Sequence, residues 1–370
     1  MRRSILYQAR DGTIKNQSDF RRTMMNSRER VMAAIHHEKV DRIPMFMDCT
    51  TSDVTEAVIK AAGCQTEEEM NRKLHIDCRW CNCMDDFCAV NVYDKGTFVD
   101  MWGIEKSVYG GIPVSHPLAD AETIEDIDNY AHWPSPDMID YDKYINKMKE
   151  AKDYAVFGGM WSPFLEQATM LMGMENLMIM MYEDPELVDH LLDKIVDFYL
   201  ECNKRMFDKA GDLMQIFFMG DDYGTQNSLL YGPDLFRRFI KPRLKKLYDL
   251  AKSYGYIVQQ HSCGSVVGII PDLIEIGLDG LHPIQVSATG MDLKDLKAQF
   301  GNDLYFAGSM DAMHLLIDGT DEEVETRIKE TMELFDEGGF IFGPSQGFLP
   351  EIPTERIIKM YELGYQYGVK

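Results

Sequence analysis

Short apolar runs alternate with longer amphipathic stretches along most of this chain. Residues 42–48 (RIPMFMD), 154–160 (YAVFGGM), 213–222 (LMQIFFMGDD) and 256–264 (YIVQQHSCG) each read as a strand buried on both faces. The runs LDGLHPIQ, LYFAGSMD and GFIFGPSQG continue the series towards the C-terminus. Between them lie helical stretches: residues 164–211, PDLFRRFIKPRLKKLYDLAKSYG, and TDEEVETRIKETMELFDEGG. The last opens with Thr320 and carries Glu323 three residues on, which predicts a capping box. Seven apolar strands alternating with helices predict an α/β fold with a parallel sheet. Their number and the chain length favour a closed (β/α)8 TIM barrel over an open doubly wound sheet, and no Gly-x-Gly-x-x-Gly follows the first strand. The expected organisation is an N-terminal extension, residues 1–26, and one barrel domain, residues 27–370.

A barrel of this kind gathers its chemistry where strands end and loops begin, at the C-terminal mouth. The polar or aromatic residues predicted there are Asp48, Trp161, Glu166, Asp221, Asp222, His261, Cys263, His282, Gln285, Asp311, Ser345 and Gln346. Charge narrows what such a mouth could bind. The 370 residues hold 38 Lys and Arg against 61 Asp and Glu, a net charge of −23. Such a surface repels phosphate backbones and anionic lipid, so neither nucleic acid nor membrane is expected as a partner. No apolar run is long enough to span a bilayer, and the first residues show no signal-peptide pattern, so a cytoplasmic protein is expected.

His261 and Cys263 are the sharpest pair. On a strand, residues two apart face the same side, so an imidazole and a thiolate could share one ion, and that pairing suits zinc. The alternative is a core histidine beside a buried thiol. Asp221 and Asp222 end an apolar strand, where they could ligate a metal, act as acid or base, or cap the next helix. Cys78, Cys81 and Cys83, with Cys88 nearby, form Cys-x-x-Cys-x-Cys; a cluster site would need four ligands, and incidental buried thiols are the better reading. The Met-rich run after residue 168 could line a cofactor cavity, but its spacing suits one buried helix face better. No Gly-x-Ser-x-Gly, His-Glu-x-x-His or Walker loop is present.

The ordered set NSRERVMAAIHHEKVDRIPMFMD, YEDPELVDHLLDKIVDFY, GDDYGTQNSLLYGPDLFRRFIKPRLKKLYDLAK, HSCGSVVGIIPDLIEIGLDGLHPIQ and LYFAGSMD…GGFIFGPSQ resembles the uroporphyrinogen decarboxylase superfamily from about Asn26 onwards. That resemblance implies a (β/α)8 barrel and one of two chemistries. Decarboxylases of the superfamily carry an arginine-rich segment after the first strand and a late histidine segment; here MFMDCTTSDVTEA and GPSQG stand in those places. The cobamide-dependent methyltransferases that act on coenzyme M hold zinc by His-x-Cys and a later cysteine. His261 and Cys263 match the first two, whereas Ser345 and Gln346 occupy the place of the third. A third branch passes a methyl group from a small donor, such as an aryl methyl ether, to a corrinoid protein, and its ligand sets can include carboxylates.

The reading closest in type is therefore a zinc-dependent methyltransferase with O-demethylase character. It would take a small methylated or methoxylated substrate and a corrinoid (cobalamin) carried by a partner protein, and it leaves a homodimer open. His261, Cys263 and Glu166 are expected as metal ligands, and Asp221 and Asp222 as catalytic groups. Trp161, Tyr223, Gln285 and Gln346 are expected to touch substrate. The alternatives are a tetrapyrrole carboxy-lyase, a methylcorrinoid:thiol methyltransferase and a non-catalytic tetrapyrrole-binding protein.

Overall fold

The structure, a computed structural model, describes residues 25–47, 51–81, 96–108 and 111–370, with the backbone alone of Asn82 and of the strands Leu6–Gln8, Ile14–Asn16 and Asn91–Tyr93. Seven parallel strands pair in chain order: β1 Cys78–Asn82, β2 Ala155–Gly159, β3 Ile216–Gly220, β4 Ile257–His261, β5 Gly280–His282, β6 Tyr305–Met310 and β7 Phe340–Pro344. Helices follow the strands and cover the outside, the connectivity of a (β/α)8 barrel.

The segment 42–47 takes the eighth position. Met45 bridges Phe342 in parallel. The Phe46 N–H donates to the Phe342 carbonyl at 2.8 Å and the Phe342 N–H to the Pro44 carbonyl at 2.8 Å. On the other side, the Asp77 N–H donates to the Met45 carbonyl at 2.8 Å. The strand predicted at 42–48 is thus an extended closing piece rather than a regular ladder. Pro44 has no N–H to give, which accounts for the interruption.

Sequence reading missed β1, whose CRWCN has no apolar run. Arg79 faces outward, its guanidinium 3.6 Å from the Tyr154 ring centroid and 2.6 Å from Glu68. Alternation along the strand sends Cys78 into the barrel interior and Cys81 into the helix layer. The two thiols therefore cannot share an ion. Burial raises both, Cys81 to about 12, so they stay protonated and uncharged. Cys83 and Cys88 lie outside the described residues, as do Asp48 and most of residues 1–26. The stretch 164–211 divides into Phe164–Met172, Met174–Glu183 and Pro185–Ala210. The first break falls at Gly173, whose φ is +88°, and the second at Asp184, whose carboxylate caps the helix that Pro185 opens.

Inside the barrel, Phe46, Trp80, Phe157 and Phe218 form an aromatic layer, with ring centroids 4.7 Å apart for Trp80–Phe218 and 5.2 Å for Phe46–Phe157. The helix Ser27–Ile35 places Val31 and Ile35 against the same interior cluster and acts as its floor. An ionic knot joins that helix to the closing segment. Asp77, fully buried, accepts from Arg30 at 2.7 Å, from Arg42 at 2.7 and 2.8 Å and from the Met45 N–H at 2.9 Å. Asp41 accepts from Arg30 Nε and Nη2 at 2.6 and 2.8 Å, and the Met25 carbonyl accepts from Nη2 at 2.6 Å.

Candidate metal centre

Two adjacent loops build the centre. The β3–β4 pairing sets Gly220 opposite His261, and the β4–β5 pairing sets His261 opposite His282. Asp222 follows directly on β3, and Cys263 follows on β4. The loops are tied by the Cys263 N–H donating to Asp222 Oδ1 at 2.7 Å and the Tyr223 N–H donating to Ser262 Oγ at 2.9 Å. They cross at Gly224 and Gly264. Gly264 has φ +84°, and a Cβ there would lie 2.5 Å from the Gly224 carbonyl carbon, so no larger residue fits without parting the loops. Gly264→Ala is expected to loosen the centre: zinc Kd from chelator competition rises by on the order of 10-fold or more, because the supporting geometry rather than a ligand is lost.

His261 Nε2 lies 3.5 Å from Cys263 Sγ and 3.6 Å from Asp222 Oδ1, and the three donor atoms fall within 4.8 Å of one another. Tetrahedral zinc with bonds of about 2.0–2.3 Å sets neighbouring donors about 3.3–3.8 Å apart. The two His261 spacings meet that requirement before any ion draws the groups together. One nitrogen, one sulfur and one oxygen also make a borderline-soft donor set of the kind zinc takes. The residues fit the ion. The Asp222 side chain is 57% exposed and that of His261 16%, so the group opens towards the mouth on the carboxylate side. Three protein donors leave room for a fourth ligand, as catalytic zinc sites require.

The other expected residues fall into distinct places. Asp221 is 4% exposed and accepts from the Leu165 and Glu166 N–H groups at 2.6 and 3.0 Å. It therefore anchors the N-terminus of the helix Phe164–Met172; burial and Glu166 push its pKa up, and those two N–H bonds oppose the rise. Glu166 stands on the first turn of that helix, outside the three-residue group. Desolvation, then the charge of Asp222, raises its pKa, and Lys106 works the other way. Trp161 lines the mouth, its ring 5.2 Å from that of His261 and 5.6 Å from that of Trp80. It lies flat over Gly220, where a Cβ would come 2.0 Å from the indole.

Tyr223, expected to touch substrate, is 1% exposed and packs its ring against Phe236 at 5.5 Å. Gln285 is 7% exposed; its Oε1 accepts from the Gly264 N–H at 2.8 Å and so holds the Cys263 loop. Gln346 Nε2 lies 2.8 Å from Met313 Sδ, and buried Ser345 accepts from the Ala312 N–H at 3.1 Å. Neither joins the donor group. Sequence reading placed His282 at the mouth but gave it no role, yet its Nδ1 lies 3.1 Å from His261 Nδ1. Parallel register between β4 and β5 was the signal that could have linked them.

Fold and site together define a (β/α)8 barrel with a nitrogen–sulfur–oxygen donor group at its C-terminal mouth. Residues 103–367 match the uroporphyrinogen decarboxylase (URO-D) family, and the chain belongs to that family. It is 24% identical over 360 residues to the methylcobamide:CoM methyltransferase MtbA of Methanosarcina mazei, a match covering 93% of this chain and 99% of that protein. It is 25% identical over 214 residues to the methylcobamide:CoM methyltransferase MtaA of Methanosarcina barkeri, covering 58% of each chain. The uroporphyrinogen decarboxylase of Myxococcus xanthus is 26% identical over 190 residues, 51% of each. A solved methyltransferase from Methanosarcina mazei shares the fold, with a TM-score of 0.64 at 19% identity over 93% of this chain and 99% of that one. Among the described residues no helix is long and apolar enough to cross a membrane.

Proposed function

We propose that this protein is a zinc-dependent methyltransferase that moves a methyl group from a small aryl methyl ether to the cobalt of a corrinoid held by a partner protein. The observation that carries the reading is the spacing of Asp222, His261 and Cys263 beside an aromatic wall. Asp222, His261 and Cys263 would hold the ion. When bound, zinc supplies Lewis acidity towards an ether oxygen, which is otherwise a poor leaving group.

The chain's own residues supply the rest. Trp161 and Trp80, both half-buried, offer flat faces beside the donor group and orient an aromatic donor. In the proposed transfer the donor's carbon–oxygen bond would break with its electron pair left on oxygen, and the methyl group would pass to the cobalt(I) that the partner's reduced corrinoid would supply. Glu166, with its raised pKa, is suited to give the departing oxygen its proton. The protonated carboxyl is the working form, so the rate holds below its pKa and falls as pH rises through it. Glu166→Gln is expected to be slower and to lose that limb of the pH–rate profile. Trp161→Ala is expected to raise KM for an aryl donor about 5–10-fold while changing kcat less, since one aromatic contact contributes about 1–1.5 kcal/mol.

A second reading, transfer from a methylcorrinoid to a thiol, is favoured by the names of the similar proteins. The mouth favours the first. Trp161 sets its ring 5.2 Å from that of His261, a flat apolar face that suits an aromatic donor better than a small thiol. The test is anaerobic: cobalt(I) cobalamin is mixed with methoxylated aromatic compounds and the protein, and methylcobalamin is followed by absorbance. Methylation from such a donor supports the first reading. Demethylation of methylcobalamin by a thiol, with no use of ethers, supports the second.

A further inference from the structure

Metal ligation by His261 requires a particular tautomer, and the structure contains a group that can fix it. The His261 and His282 rings meet through their Nδ1 atoms at 3.1 Å. A hydrogen bond between two imidazole nitrogens holds one proton, so one ring donates and the other accepts. If His282 donates, His261 carries its proton on Nε2 and has no lone pair for a cation. If His261 donates, its Nε2 lone pair points towards Cys263 and Asp222, the two groups at 3.5 and 3.6 Å. The two arrangements differ by a shift of protons within the pair, and a cation at Nε2 is compatible with the second alone.

The setting of His282 suits an accepting role. It is fully buried, and its ring stands perpendicular to Phe46 at 5.3 Å and to Phe218 at 5.1 Å, so aromatic walls hold its orientation. Position and orientation are set by β5 and the aromatic layer, not by the ion. The acceptor is therefore in place before a cation arrives, which is the arrangement expected of a group that orients a metal-binding histidine.

Resting on the zinc reading above, we propose that His282 is a positioning residue: its Nδ1 accepts the His261 Nδ1 proton and thereby presents the His261 Nε2 lone pair to the ion held with Cys263 and Asp222. The test compares His282→Leu, which keeps bulk but removes the acceptor, with His282→Asn, whose amide oxygen can accept from nearly the same place. Zinc Kd is measured by chelator competition on full-length protein, with circular dichroism to establish folding. The expected result is a 10- to 100-fold rise in Kd for His282→Leu and a rise of less than about 5-fold for His282→Asn.

A second readout is the long-range proton–nitrogen spectrum of ¹⁵N-histidine-labelled, zinc-loaded protein, in which His261 should carry its proton on Nδ1. A wild-type Kd in folded His282→Leu, equal losses in both variants, or a proton on His261 Nε2 would each overturn the proposal. Those outcomes leave zinc binding by the wild-type protein intact. Absence of zinc binding in the wild type would instead bring down the metal reading and this inference with it.

Discussion

His261→Ala and Cys263→Ser are each expected to lower methyl transfer to a corrinoid by on the order of 10³-fold, equivalent to about 4 kcal/mol of lost transition-state stabilisation. The size follows from what a Lewis acid does at an ether oxygen. Without it, the leaving group departs as an unassisted alkoxide or phenoxide, and Glu166 alone must offset the charge. The two variants should fail to a similar extent, and the double variant little further, because ligands of one ion act as a unit. His261 is 16% exposed at its side chain and Cys263 is half-buried at a loop, so neither change opens a core cavity. Thermal unfolding of the metal-free proteins should therefore shift little, and single-turnover absorbance of the corrinoid should carry the whole effect.

Asp77→Ala is expected to cost about 3–5 kcal/mol of folding stability, read from urea denaturation. Asp77 is fully excluded from solvent and pairs with both Arg30 and Arg42, which are themselves 5% and 8% exposed. Removing it leaves two guanidinium groups buried beneath the barrel, with Asp41 to serve only Arg30. It also frees the Met45 N–H at the point where the barrel closes. The change is large because the penalty comes from the charges left behind rather than from the bond removed.

Much of the barrel was legible because β2, β3, β6 and β7 are buried along their whole length and appear as largely apolar runs, while β4 and β5 still open on apolar residues before their polar ends. The strand β1 was not, since Arg79 is carried outward by an ion pair with Glu68 and a stacked Tyr154, a tertiary arrangement that no local pattern announces. The eighth position was predicted, but beside Pro44 the ladder to β7 shrinks to a single bridge, Met45 to Phe342. At the site, the His-x-Cys spacing pointed to two residues whose donor atoms the structure brings to 3.5 Å, and the end of β3 pointed to two acids without separating them. Separation depends on which carboxylate meets the Leu165 and Glu166 N–H groups, and Asp221 does. That leaves Asp222 to face His261. The roles of Tyr223 and Gln285 were open for a similar reason: strand ends are polar both to bind ligands and to hold neighbouring loops together, and Gln285 does the second by accepting from the Gly264 N–H.

The most direct measurement is the absorbance of the cobalt(II)-loaded protein, taken on wild type, Cys263→Ser and Asp222→Ala. The account predicts binding of one cobalt per chain, a thiolate-to-cobalt charge-transfer band and the intense visible bands of a tetrahedral ion. It also predicts loss of the charge-transfer band in Cys263→Ser and altered visible bands in Asp222→Ala. A wild-type protein that binds no cobalt, or whose charge-transfer band survives in Cys263→Ser, would contradict it.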